Sequence, residues 1–144
     1  MRFCAFSLAL AVVLVTSAVR AHVRIQPAES NAGARQTYTL SVPTEGNVAT
    51  TWVELEVPAG VSVISVEDQV ETKKIGDRIV SIIWRMEIPP SQSREFVFVA
   101  MNPTSEQEIS WKAHQYYADG SSTDWIEGFN SRRPASVTKL RNAP

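Results

Sequence analysis

The chemistry in this chain starts at His22, because of what stands in front of it. Met1-Arg2-Phe3 open the chain, an apolar run extends from Leu8 to Val15, and the stretch closes on Val19-Arg20-Ala21. That order of charge, apolar core and small final residue is the pattern of a cleaved secretory signal peptide over residues 1–21. Cleavage after Ala18 competes with it, but would leave a bulky Val-Arg start. Cleavage after Ala21 gives His22 a free α-amine. That amine and the Nδ1 of its own ring can close a chelate on one soft or borderline metal, and imidazole with a further nitrogen donor suits copper.

Few other residues compete for such a role. The chain has two histidines, His22 and His114, and one cysteine, Cys4, inside the expected signal peptide. A mature chain would therefore carry no disulfide, thiolate ligand or cysteine nucleophile, which suits an exported domain held by packing alone. There is no H-E-x-x-H, G-x-S-x-G, phosphate-cradling glycine loop or C-x-x-C pair, so most catalytic plans lack their parts. Without Arg2 and Arg20 the 14 basic residues fall to 12 against 15 acidic, a charge of −3. That sign argues against nucleic acid or an anionic membrane as the main partner. The apolar run near the start is short for a membrane span and nothing later resembles one, so no stable span is expected after cleavage.

The elements that must position these groups read as strands. β-branched and aromatic residues alternate with polar ones over 22–26, 36–42, 50–57, 62–67, 78–88, 93–100, 108–117 and 122–127, the two-residue period of half-buried strands. No helical stripe is sustained. Asp119-Gly120 lies between two aromatic-rich runs and marks a hairpin leading to Trp125. If Val53, Leu55 and Val57 face a core, Trp52, Glu54 and Glu56 share the opposite face; Ala113 and Gln115 likewise oppose His114 and Tyr116. The pattern predicts an all-β, two-sheet antiparallel sandwich of immunoglobulin- or cupredoxin-like type over residues 22–130, with a basic, partly loose tail over 131–144.

Several stretches together carry a family likeness. They are His22-Val23, Pro27-Ala28-Glu29-Ser30, Thr50-Thr51-Trp52-Val53-Glu54-Leu55, Phe96 to Ala100, Trp111 to Gly120, Trp125 and Pro134 to Thr138. In these the chain resembles the YcnI family of exported copper-binding proteins over nearly its whole mature length. The resemblance implies a β-sandwich holding one copper, expected as Cu(II), through a single-histidine brace from the amine and imidazole of His22. It also implies a carboxylate ligand, which the Thr-Thr-x-Val-Glu pattern places at Glu54, and a tryptophan beside the metal at Trp125. Trp52, Trp84 and Trp111 are read as structural.

Two departures stand out. The family often has an aromatic where this chain has His114, which is either an ordinary strand histidine or a second histidine near His22. The stretch Asp68 to Lys74 replaces a Pro-Gly-Trp loop. The expected function is an extracytoplasmic (periplasmic or secreted) copper-handling protein acting as chaperone, buffer or delivery protein, not an enzyme, with other exported or membrane copper proteins as partners. Its rivals are a copper oxidase of the N-terminal-histidine type, which needs His114 as a second ligand, and a metal-free interaction domain.

Overall fold

The computed structural model describes residues 21–143. The signal-peptide expectation, apart from its last residue Ala21, lies outside them. Among the described residues no helix is long and apolar enough to cross a membrane.

Twelve strands follow one another: β1 (Arg24–Gln26), β2 (Glu29–Asn31), β3 (Arg35–Pro43), β4 (Thr50–Glu56), β5 (Ser62–Val66) and β6 (Glu71–Ile75), then β7 (Arg78–Ile88), β8 (Ser93–Met101), β9 (Gln107–Trp111), β10 (Ala113–Tyr117), β11 (Ser122–Trp125) and β12 (Ser136–Arg141). They form a four-stranded sheet in the order β1-β3-β8-β5, a five-stranded sheet β11-β10-β4-β7-β6, and a three-stranded sheet β2-β12-β9. All pairings are antiparallel except β2 with β12.

The alternation explains the core. β3 buries Tyr38, Leu40 and Val42 and β8 buries Phe96 and Phe98, while the facing sheet contributes Val53, Leu55, Ile82 and Trp84. The rings interlock: Tyr38 lies 5.5 Å from Phe98 and 4.9 Å edge-on from Trp111, and Trp84 lies 5.1 Å from Phe96. Such offset and edge contacts add to what burial alone contributes. Trp84 and Trp111 are thus core residues, as expected. The Tyr38 hydroxyl is pushed up to about 12 by burial, although it donates a 2.6 Å hydrogen bond to Asn102 Oδ1.

Three features depart from the expectation. The run 108–117 is two strands, because at Lys112 the chain leaves β12 as partner and joins β4, the usual way a strand turns a sandwich corner. β6 was not anticipated: all five of its residues are exposed, so it has no buried face to impose a period. The two residues Gly76-Asp77, with Gly76 at φ 61°, return it onto β7. Finally, the basic tail, expected to be partly loose, contains β12, which buries Thr138 and Leu140 and pairs on both sides. A basic composition concealed an alternating strand.

Candidate metal centre

β1 pairs with β3 so that Arg24 lies opposite Ser41 and Ile25 opposite Leu40. Continuing that register places His22 beside Pro43, where β3 ends, and Glu45 follows two residues later. A cleft of about 260 Å³ opens at this end of the sandwich, lined by His22, Glu45, Gln115, Trp125, Arg132 and Arg133 among others. The His22 and Trp125 ring centroids are 5.6 Å apart, with planes inclined at 57°. No side-chain hydrogen bond engages His22 among the described residues, and its Nε2 is enclosed without a partner. Such an orphan costs about 1–3 kcal/mol where no compensating group is present.

The peptide N–H of Ala21 donates to Glu45 Oε1 at 2.7 Å. Glu45 therefore holds its carboxylate one residue away from the nitrogen that cleavage after Ala21 would free. Sequence reasoning missed this residue. Glu45 sits in the turn Pro43 to Asn47, where a carboxylate reads as ordinary loop chemistry, and only the β1–β3 register brings it to His22.

Gln115 holds the two sides of the cleft together. It is 1 % exposed. Its amide oxygen accepts the Trp125 indole N–H at 3.1 Å, and its amide nitrogen donates to Pro43 O at 2.8 Å and Thr50 Oγ1 at 2.7 Å. One side chain thus fixes the tryptophan and the end of the strand leading into Glu45. Beneath it Thr44 and Thr50 share a 2.7 Å hydroxyl contact, and Thr44 also donates to Ile88 O. Buried polar groups so fully partnered hold one geometry.

Glu54 is elsewhere. In β4 it alternates with the buried Val53 and Leu55 and lies opposite His114 of β10, on the outer face of the five-stranded sheet. Trp125 pairs with Ala113 and bonds to Gln115, on the inner face of the same sheet. The structure therefore brings His22, Trp125 and Glu45 together and leaves Glu54 across the sheet. Glu54 Oε1 accepts from Lys73 Nζ at 2.7 Å and Ser81 Oγ at 2.6 Å. Burial raises the Glu54 carboxyl, but these two hydrogen bonds and the Lys73 charge outweigh it and hold it below the usual range.

His114 shares that outer face, with Nδ1 2.7 Å from Asp124 Oδ1 and Nε2 3.7 Å from Glu56 Oε2. The two histidines thus stand on opposite faces of one sheet and do not form a pair. Trp52 is also on the outer face, stacked on Tyr116 at 3.5 Å with Arg85 5.1 Å from its ring centre. Among the described residues no three His, Cys, Asp or Glu side chains form a group able to hold a metal. The cleft combines two such side chains with a main-chain nitrogen, which is the donor set a terminal brace needs.

Comparison with known proteins adds three findings. A family model described as a domain of unknown function, DUF1775, matches residues 22–140, beginning at His22. The copper-binding protein CutI of Bacillus subtilis (strain 168) is 39% identical over 135 residues, covering 89% of this chain. The chain spans 66% of that relative's length. A crystal structure of an uncharacterized protein from Nocardia farcinica, described as immunoglobulin-like, superposes with a TM-score of 0.70 at 26% identity, covering 83% of this chain and 97% of that one.

Proposed function

The chain belongs to the DUF1775 family of YcnI-type proteins, and from that premise we propose that it is an extracytoplasmic copper-binding protein of copper handling. It takes one Cu(II) as cargo, as chaperone, buffer or delivery protein, and is not an enzyme. The observation that carries this reading is the cleft itself: the His22 ring lies against Trp125 with no side-chain hydrogen bond among the described residues, and Glu45 lines the same cleft with its carboxylate on the neighbouring Ala21 N–H. The name of the Bacillus relative supports copper as the metal.

The His22 amine and Nδ1 supply two nitrogens, and Glu45 supplies the anionic oxygen. We assign that role to Glu45 in place of Glu54, because Glu54 is already held by Lys73 and Ser81 on the far face. An N/O donor set of this kind suits tetragonal Cu(II). Trp125 covers one side of the site and limits water there. A free α-amine titrates near about 7.7–8.0, and its proton must leave before it can bind, so affinity falls as pH falls. Acid would unload the cargo.

Partners are other exported or membrane copper proteins. The separation of His114 from His22 favours handling over oxidative turnover, since a two-histidine centre has no second ligand in the cleft. The test compares protein beginning at His22 with protein retaining Ala21. The first takes up about one Cu(II) per chain in a competitive chelator titration, and the second binds at least about 100-fold more weakly, because a peptide nitrogen has replaced the amine. Equal affinities would overturn the brace.

A further inference from the structure

We infer that the cleft receives copper together with a small carboxylate anion, which Arg132 and Arg133 hold in the open position beside the metal. This rests on the copper reading above and specifies the form in which the cargo is held.

The first support is charge. Cu(II) and the Glu45 carboxylate leave one net positive charge, and Arg132 and Arg133, which line the same cleft, add two more. Neither guanidinium has an ion-pair partner among the described residues, whereas Arg85 and Arg141 are paired to Glu71 and Glu29. Three uncompensated positive charges in one cleft favour an anion. Guanidinium binds carboxylate in a two-pronged fork that a lysine could not reproduce.

The second support is donor supply. His22 and Glu45 offer two nitrogens and a carboxylate, while the other polar groups lining the cleft are engaged. The Gln115 amide makes three hydrogen bonds, and the Tyr117 hydroxyl is 3.1 Å from Thr123 Oγ1. Tetragonal Cu(II) prefers a further donor in its plane. The cleft is also several times the roughly 30 Å³ that one water occupies in the liquid. It has room for a small organic anion.

The third support is the loop that carries the arginines. It leaves the five-stranded sheet after Trp125 and enters the three-stranded sheet at Ser136, closed at its neck by Glu127 N to Arg133 O at 3.0 Å, Ala135 N to Glu127 O at 2.9 Å and a bridge between Glu127 and Pro134. Trp125 and the two arginines are therefore positioned by the same closed loop. Its tip, with Phe129 92 % exposed, projects away into solvent.

The experiment uses protein beginning at His22, loaded with one Cu(II), with ¹³C-labelled malonate as the probe. Pulsed EPR is expected to show a ¹³C coupling to copper. Malonate should slow copper loss to a competing chelator about tenfold, corresponding to roughly one charge-assisted contact. The double variant Arg132→Gln/Arg133→Gln should lose both effects. Copper uptake with no ¹³C coupling in the unmodified protein would overturn the inference while leaving the copper reading intact. Equal coupling and protection in the double variant would overturn the role of the arginines. Failure to take up copper with or without malonate would overturn the underlying reading.

Discussion

The end cleft and the outer face of the five-stranded sheet are built from the same residue types: each has a histidine, at least one glutamate, a tryptophan and arginine. On the outer face they are matched to one another. His114 is flanked by Asp124 and Glu56, Glu54 is held by Lys73 and Ser81, and Trp52 is stacked between Tyr116 and Arg85, which in turn pairs with Glu71. In the cleft, Gln115 satisfies the surrounding framework, while His22 Nε2 and the side chains of Arg132 and Arg133 have no hydrogen-bond or ion-pair partner among the described residues. Residue type is therefore a poor guide to function in this fold. Residual bonding capacity separates a site from a well-knit surface.

The largest expected difference between the regions lies in copper affinity. Glu45→Gln should weaken uptake by about 10–100-fold, whereas Glu54→Gln should leave it unchanged within error in the same titration. The reverse result would move the site to the outer face. Next in size is Gln115→Leu, which leaves the Trp125 indole N–H and Pro43 O without their partner. It should cost about 1–3 kcal/mol in denaturant unfolding and also weaken copper binding, because the indole is no longer held.

A smaller effect should appear in the acid limb of stability. The Glu54 carboxyl is lowered in the folded protein, so its contribution is complete above the unfolded value near 4.5 and is lost as pH falls through the lowered folded value. Glu54→Gln should therefore be less stable than the parent near neutrality and converge with it in acid; parallel curves would sink that account. Smallest of all, His114→Ala should change unfolding free energy by about 1 kcal/mol or less, since its contacts with Asp124 and Glu56 are partly solvated, and should leave copper uptake untouched. A large loss of uptake would reinstate His114 as a ligand.

Strands with one buried face could be read directly. The run 78–88 matches β7 residue for residue, and β3, β4 and β8 differ from expectation only at their ends. β6 could not be read, because an edge strand exposed on both faces has no hydrophobic period. β12 was concealed by its charges, although Thr138 and Leu140 alternate with exposed Val137 and Lys139. His22 and Trp125, which the sequence singles out, meet in the cleft. The alternation in β4 puts Glu54 on the face away from the core, as the structure has it, but a local motif carries no information on which face of the sheet His22 meets.

Local order along the chain suffices for the all-β class, the turns, the scarcity of competing ligands and the prominence of His22. These follow from two-residue alternation, from backbone preferences of turn residues and from simple counts. The pairing of β1 with β3 is a different kind of fact. It is a contact between segments distant along the chain, and its register places Glu45 beside His22 while the twofold period of β4 turns Glu54 away. A shift of one residue in either strand would exchange those roles, because each step along a strand reverses the face its side chain occupies. Which carboxylate lies near His22 is therefore a matter of how the sheets assemble and not of local sequence.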